Sequence, residues 1–134
     1  MTLYINTVSS EEIIVALRDG RLVLAQKRIK APRQQGEKLV PAIAALLKAN
    51  KLKLIALKKI VVSNHGGSFT SLRIGVITAN ALAFALGIPV EAEGEDGKKD
   101  LKNMKKFGAR RLVVPAYDRP PEIGKSQKPT LRVN

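Results

Sequence analysis

The sequence predicts an α/β fold: a mixed β-sheet carrying two helices, in the order β-β-β-α-β-α-β, followed by a basic, proline-rich tail. Clusters of β-branched and apolar residues fill the first thirty positions, broken by Asp19-Gly20, and two later stretches repeat apolar residues at helical spacing. The composition then changes sharply at Glu93. With 134 residues and 45% hydrophobic composition, the chain has enough material for one cored domain and too little for two of ordinary size.

Strands are expected at residues 3–7, 13–17 and 21–29, where β-branched and apolar side chains concentrate. Asp19-Gly20 tolerates the positive φ of a tight primed turn, so the second and third strands form an antiparallel hairpin. Pro32 and Gly36 mark a loop, after which Leu39, Ile43, Leu46 and Leu47 recur along one helix face. Pro41 is tolerated in an early helical turn, so this helix is expected to begin only a few residues before it. Asn50 is the expected left-handed stop.

Residues 59–63 form the next strand, and Gly66-Gly67-Ser68 turns into a second helix over 69–86, with Ser68 as the N-cap. Gly87 ends that helix, and residues 88–92 supply a further strand. Residues 93–100 contain no apolar residue at all and read as polar linker. A short basic helix is expected over 101–107 and a strand over 112–114. Pro115, Pro120, Pro121 and Pro129 prevent regular structure throughout the remainder, which reads as an extended tail.

No apolar run reaches the ~18 residues that crossing a bilayer requires, and the N-terminus lacks the pattern of a secretory leader, so a soluble, cytoplasmic protein is expected. Without cysteine there is no disulfide or thiolate chemistry, and one histidine, His65, leaves a metal site few nitrogen ligands. The formal net charge of +13 suggests a polyanionic partner. Between residues 21 and 59 eleven basic residues stand against one acid, Glu37. This stretch reads either as a solvated face or as an RNA contact through Lys48, Lys51, Lys53, Lys58 and Lys59. With three Phe, two Tyr and no Trp, such a contact is expected to be mainly to backbone.

The second helix is apolar nearly all round: after its first turn only Arg73, Thr78 and Asn80 are polar. A helix covering one sheet face needs one apolar stripe, so either the first helix covers the remainder or a second polypeptide does. The alternating small residues Ala79, Ala81, Ala83 and Ala85 suit close helix-on-helix packing across a subunit contact.

The run Ser-Phe-Thr-Ser-Leu-Arg-Ile-Gly over 68–75 resembles the loop-helix signature of the TsaB (YeaZ) family, usually Gly-Pro-Gly-Ser-Phe-Thr-Gly-Leu-Arg-Ile-Gly. Residues 79–90 are similar to that family's Ala-Lys-Gly-Leu-Ala…Gly-Ile-Pro pattern. Residues 4–7 sit where it opens with a strand ending in Asp-Thr, and 36–41 resemble its His-Ser-Glu-Arg-Leu-Leu-Pro helix start. Residues 114–123 resemble the segment that commonly ends the family's chains. The resemblance covers 1–92 and about 112–128. It implies one actin-like, ribonuclease-H-like lobe over 1–92, a shortened polar linker over 93–111 replacing the second lobe, and an extended tail over 112–134.

The resemblance also implies a non-catalytic subunit that docks on TsaD and supports transfer of threonylcarbamoyl to an adenosine of tRNA, with TsaE joining the assembly. The expected partner-binding residues are Leu39, Ile43, Leu46 and Leu47 of the first helix and Arg73, Ile74, Ile77, Asn80, Ala81 and Phe84 of the second. A homodimer through the same helices is the expected pairing without the partner. Asn6 stands where nucleotide-hydrolysing relatives carry a metal-holding aspartate, and the paired histidines of TsaD have no counterpart, so neither cofactor nor metal is expected. Departures from the family's pattern are His65-Gly66-Gly67, Ser71, and Gln35 near the position of the first helix's histidine. Two alternatives remain: a basic module contacting tRNA backbone, and a phosphotransferase cradling phosphate at Gly66, Gly67 and Ser68.

Overall fold

The computed structural model describes residues 1–66 and 69–116. Five strands form one sheet: β1 (Thr2–Asn6), β2 (Glu12–Asp19), β3 (Leu22–Lys30), β4 (Lys59–Ser63) and β5 (Val90–Glu93). Two helices, α1 (Gln35–Ala49) and α2 (Phe69–Leu86), join them, and a separate hairpin of β6 (Met104–Phe107) and β7 (Arg110–Val113) follows. The sheet order is β3-β2-β1-β4-β5, with the β1–β2–β3 meander antiparallel and β1–β4–β5 parallel. This is the mixed α/β arrangement and element order that the sequence predicts.

Alternation along the strands sets the register. Leu17, Leu3, Ile60 and Val90 align across four strands, and Val15, Ile5, Val62 and Ala92 form the next row. All eight are buried, so a one-residue slip would turn an entire apolar row toward the opposite face. Leu39, Ile43, Leu46 and Leu47 of α1 and Val76, Ala79 and Ala83 of α2 complete the same core.

Local details differ from expectation in instructive ways. The first hairpin pairs Asp19 with Leu22, so its two turn residues are Gly20 and Arg21, with Gly20 at φ +62. Leu17 faces Ala25 and Arg18 faces Val23, which makes Leu24 the extra residue of a bulge. Helix α1 begins at Gln35, and Pro41 therefore lies inside it, where its ring nitrogen gives no hydrogen bond to the preceding turn. Asn50 caps α1 at φ −105, and the left-handed residue is Lys51, at φ +57. The amide of Leu52 donates to the carbonyl of Leu47 (2.9 Å), and that of Lys51 to Lys48 (3.0 Å). These two bonds form a Schellman motif with lysine where glycine is usual. Helix α2 ends in the same motif, with Gly87 at φ +69 and bonds from Ile88 to Ala83 and from Gly87 to Phe84.

The basic helix expected over 101–107 is not formed. Leu101–Asn103 makes one 3-10 turn, and β6 then pairs with β7 across Gly108-Ala109, with Gly108 at φ +61. A glycine able to take positive φ at the first turn position favours a tight hairpin. The strand expected over 112–114 is accordingly β7, starting at Arg110. Val113 is buried in the lobe's core, so this late segment contributes apolar packing that its composition did not suggest. Ser68, the expected N-cap, and the tail beyond 116 lie outside the described residues.

Candidate functional site

Helix α2 packs on the sheet through Leu72, Val76, Ala79 and Ala83, all buried. Its seating depends on Thr7, just beyond β1. The Thr7 hydroxyl donates to the carbonyl of Ser71 (2.6 Å) and accepts from the amide of Gly75 (3.1 Å). Those two backbone groups are one helical turn apart, so a side chain from the sheet enters the ladder of α2. Only a residue without Cβ permits this approach, which gives a physical reason for glycine at the end of the Ser-Phe-Thr-Ser-Leu-Arg-Ile-Gly run.

Gln35 and Ser71, two of the departures from the family's pattern, meet in space. Gln35 Nε2 donates to the Ser9 carbonyl (2.9 Å) and to Ser71 Oγ (3.3 Å), tying the start of α1 to the first turn of α2. Both side chains are buried.

The opposite face of α2 is exposed. Arg73, Ile77, Ala81, Phe84 and Ala85 follow one stripe along the helix, with Ile77 56% and Phe84 67% accessible. Beside the stripe, α1 and α2 enclose an apolar groove of about 430 Å³ lined by Val40, Ile43, Leu47, Ile77, Ala81 and Leu82, among others. Val40, 60% exposed, extends this apolar surface onto α1. The first helix therefore covers only part of what α2 leaves open.

The residues expected to meet a partner divide into three groups. Arg73, Ile77, Ala81 and Phe84 are exposed, and Ile74 is half-buried beside them. Leu39, Ile43, Leu46 and Leu47 are instead buried, because the amphipathic face of α1 turns toward the sheet; only Ile43 and Leu47 also reach the groove wall. The α1 residues that sequence reasoning missed are Val40 and Ala44, on the groove side. Asn80 serves the chain's own fold: its amide donates to the Val113 carbonyl (2.9 Å), and its oxygen accepts from the Val113 amide (2.9 Å). Asn64 clasps the same segment by donating to the Val114 carbonyl (3.0 Å) and accepting from the Ala116 amide (2.8 Å). The two asparagines act as short strand edges that hold the hairpin's base.

The remaining candidate positions are dispersed. Asn6 is engaged locally, donating to the Tyr4 hydroxyl (3.0 Å) and accepting from the Val8 amide (2.9 Å). His65 is half-buried in the bend after β4, and Gly66 follows at φ +56; Gly67 and Ser68 lie outside the described residues. Lys48, Lys51, Lys53 and Lys58 are exposed at or between the end of α1 and the start of β4, whereas Lys59 pairs with Glu91 (3.5 Å). Among the described residues no group of three or more His, Cys, Asp and Glu is placed to hold a metal, and no helix is long and apolar enough to cross a membrane.

Comparison with known proteins gives a consistent result. The family described as "TsaD: tRNA N6-adenosine threonylcarbamoyltransferase" matches residues 27–92. The "tRNA threonylcarbamoyladenosine biosynthesis protein TsaB" of Bacillus subtilis (strain 168) is 33% identical over 92 residues, which cover 69% of this chain and 40% of that protein. A crystal structure of an uncharacterized Pseudomonas aeruginosa protein with similarity to peptidase YeaZ superposes with TM-score 0.63 at 31% identity, covering 69% of this chain and 42% of that one. A structure of YeaZ from Pseudomonas aeruginosa gives 0.61 over the same shares, also at 31% identity. The chain thus spans about 40% of the length of these relatives. The shared lobe has the actin-like, ribonuclease-H-like architecture, and over it the chain is similar to the TsaB (YeaZ) proteins.

Proposed function

We propose that this chain is a non-catalytic subunit of the machinery that makes threonylcarbamoyladenosine in tRNA, and that it docks on a TsaD-type transferase through α2 and the groove beside α1. The observation carrying this reading is the solvent face of α2, where Ile77, Ala81, Phe84 and Ala85 lie exposed beside the apolar groove. Contiguous apolar surface of this kind gains free energy when another polypeptide covers it. Similarity suggests the partner: the TsaB of Bacillus subtilis is described as a biosynthesis protein for this nucleoside, and the matching family description is that of the transferase itself.

Docking in this reading requires only the helical face that α1 and α2 form. A supporting role without chemistry fits the Asn6 amide, which offers no carboxylate charge to a metal–phosphate group and is already hydrogen bonded to Tyr4 and Val8. TsaE joins the assembly in this reading, and a homodimer through the same face forms when the transferase is absent.

Reconstituted threonylcarbamoylation of tRNA tests the proposal. The chain alone is expected to form no product, and adding it to TsaD from the same organism is expected to raise product formation. Product formation by TsaD that is indifferent to the chain overturns the reading, as does turnover by the chain alone.

A further inference from the structure

We propose that the β6–β7 hairpin is an RNA-binding element, in which Phe107 stacks on an unpaired base while Lys105, Lys106, Arg110 and Arg111 hold neighbouring phosphates. Residues 101–116 contain five cations, these four and Lys102, and no acid. All five are exposed. Among the described residues none of them forms an ion pair, whereas elsewhere Arg18, Arg28, Lys59 and Lys99 are matched to Glu93, Glu12 and Glu91. Among the described residues no acid compensates the hairpin's charge.

The ladder sharpens this point. Lys106 lies directly opposite Arg111, and like charges facing each other across a strand pair weaken a hairpin. A polyanion laid along it turns that repulsion into attraction and releases its own counterions.

The placement of aromatic rings selects the kind of polyanion. The chain has only three Phe and two Tyr, yet Phe107, at 66% exposure, occupies the last ladder pair before the turn. A second exposed ring, Phe84, carries the Arg110 guanidinium at 5.0 Å from its centroid. Exposed rings interleaved with cations suit single-stranded or looped RNA, whose bases stack while its phosphates are neutralised. A groove of about 600 Å³ runs from the hairpin to the end of α2, with Lys99, Arg110 and Arg111 on its walls against Glu91. Glu91 is itself shared by Lys59 and Lys99, so the basic surface continues across the sheet edge. Asn80 and buried Val113 fix the hairpin's base, leaving its tip outermost.

The identity of the RNA as tRNA rests on the proposed function; the hairpin's RNA contact does not. The test uses the full chain without TsaD, so failure here and failure of docking are separate results. Binding to fluorescently labelled tRNA transcript is measured by anisotropy between about 50 and about 200 mM salt. Replacing Lys105, Lys106 and Arg111 together by Gln is expected to reduce the slope of log affinity against log salt by about 2. Phe107→Ala is expected to weaken binding roughly five- to a hundredfold with the slope unchanged, and Phe107→Trp to restore it. Lys48→Gln with Lys53→Gln serves as the comparison elsewhere on the surface, and circular dichroism verifies each fold. Undetectable tRNA binding by the parent chain, hairpin variants that bind as tightly as it does, or a loss confined to the Lys48 and Lys53 variant each overturns the proposal. Preferential binding to phosphatidylserine vesicles overturns it too.

Discussion

The Thr7 hydroxyl stands where a Cβ on Gly75 would come within 2.5 Å of it. This single approach joins the end of β1 to the first turns of α2 and fixes which face of the helix meets the sheet. The exposed stripe follows from it, because seating Val76 and Ala79 inward turns Ile77 and Ala81 outward.

Gly75→Ala is therefore expected to destabilise the chain by about 1–3 kcal/mol, measured by urea unfolding. Thr7→Ala removes the offending oxygen together with its two hydrogen bonds, so the double variant is expected to be less destabilised than the sum of the two single changes. Strict additivity would place the strain elsewhere.

Lys51 occupies a left-handed position that costs a side-chain-bearing residue more than glycine. Lys51→Gly is expected to stabilise the chain by about 0.5–1 kcal/mol in the same unfolding assay. An unchanged or lowered midpoint would contradict the Schellman geometry at the end of α1.

The asparagine clamps are expected to separate hairpin order from lobe order. Asn80→Ala removes both side-chain bonds to Val113, at a cost of about 1–3 kcal/mol for the groups left unpaired. Hydrogen exchange should then quicken over residues 104–113 and stay slow in β1 and β4. Uniform acceleration through the lobe would mean that the hairpin does not hang on this clamp.

Much of the lobe was legible because each element carries its own local signal. Strand alternation places Leu3, Ile5, Val15 and Leu17, and the apolar excess of α2 is visible as a scarcity of polar residues after Ser71. The basic segment after residue 100 was misread because its charges follow no apolar period; Gly108-Ala109, a glycine-led two-residue turn, was the available signal. The site was legible only on α2. On α1 the helical spacing of Leu39, Ile43, Leu46 and Leu47 identifies an apolar face without saying whether a sheet or a partner covers it. Asn80 and Asn64 could not be assigned from sequence, since their partners lie 33 and 50 residues away.

The central claim concerns the solvent face of α2. Isothermal titration of the full chain into TsaD of the same organism, for the parent and for an Ile77→Asp, Ala81→Glu variant, tests it most directly. Both side chains are exposed, so the fold should survive the change. The account predicts a stable complex whose affinity falls at least about a hundredfold in the variant, the scale of losing a central apolar contact. Equal affinities for parent and variant, or no binding by either, would contradict it.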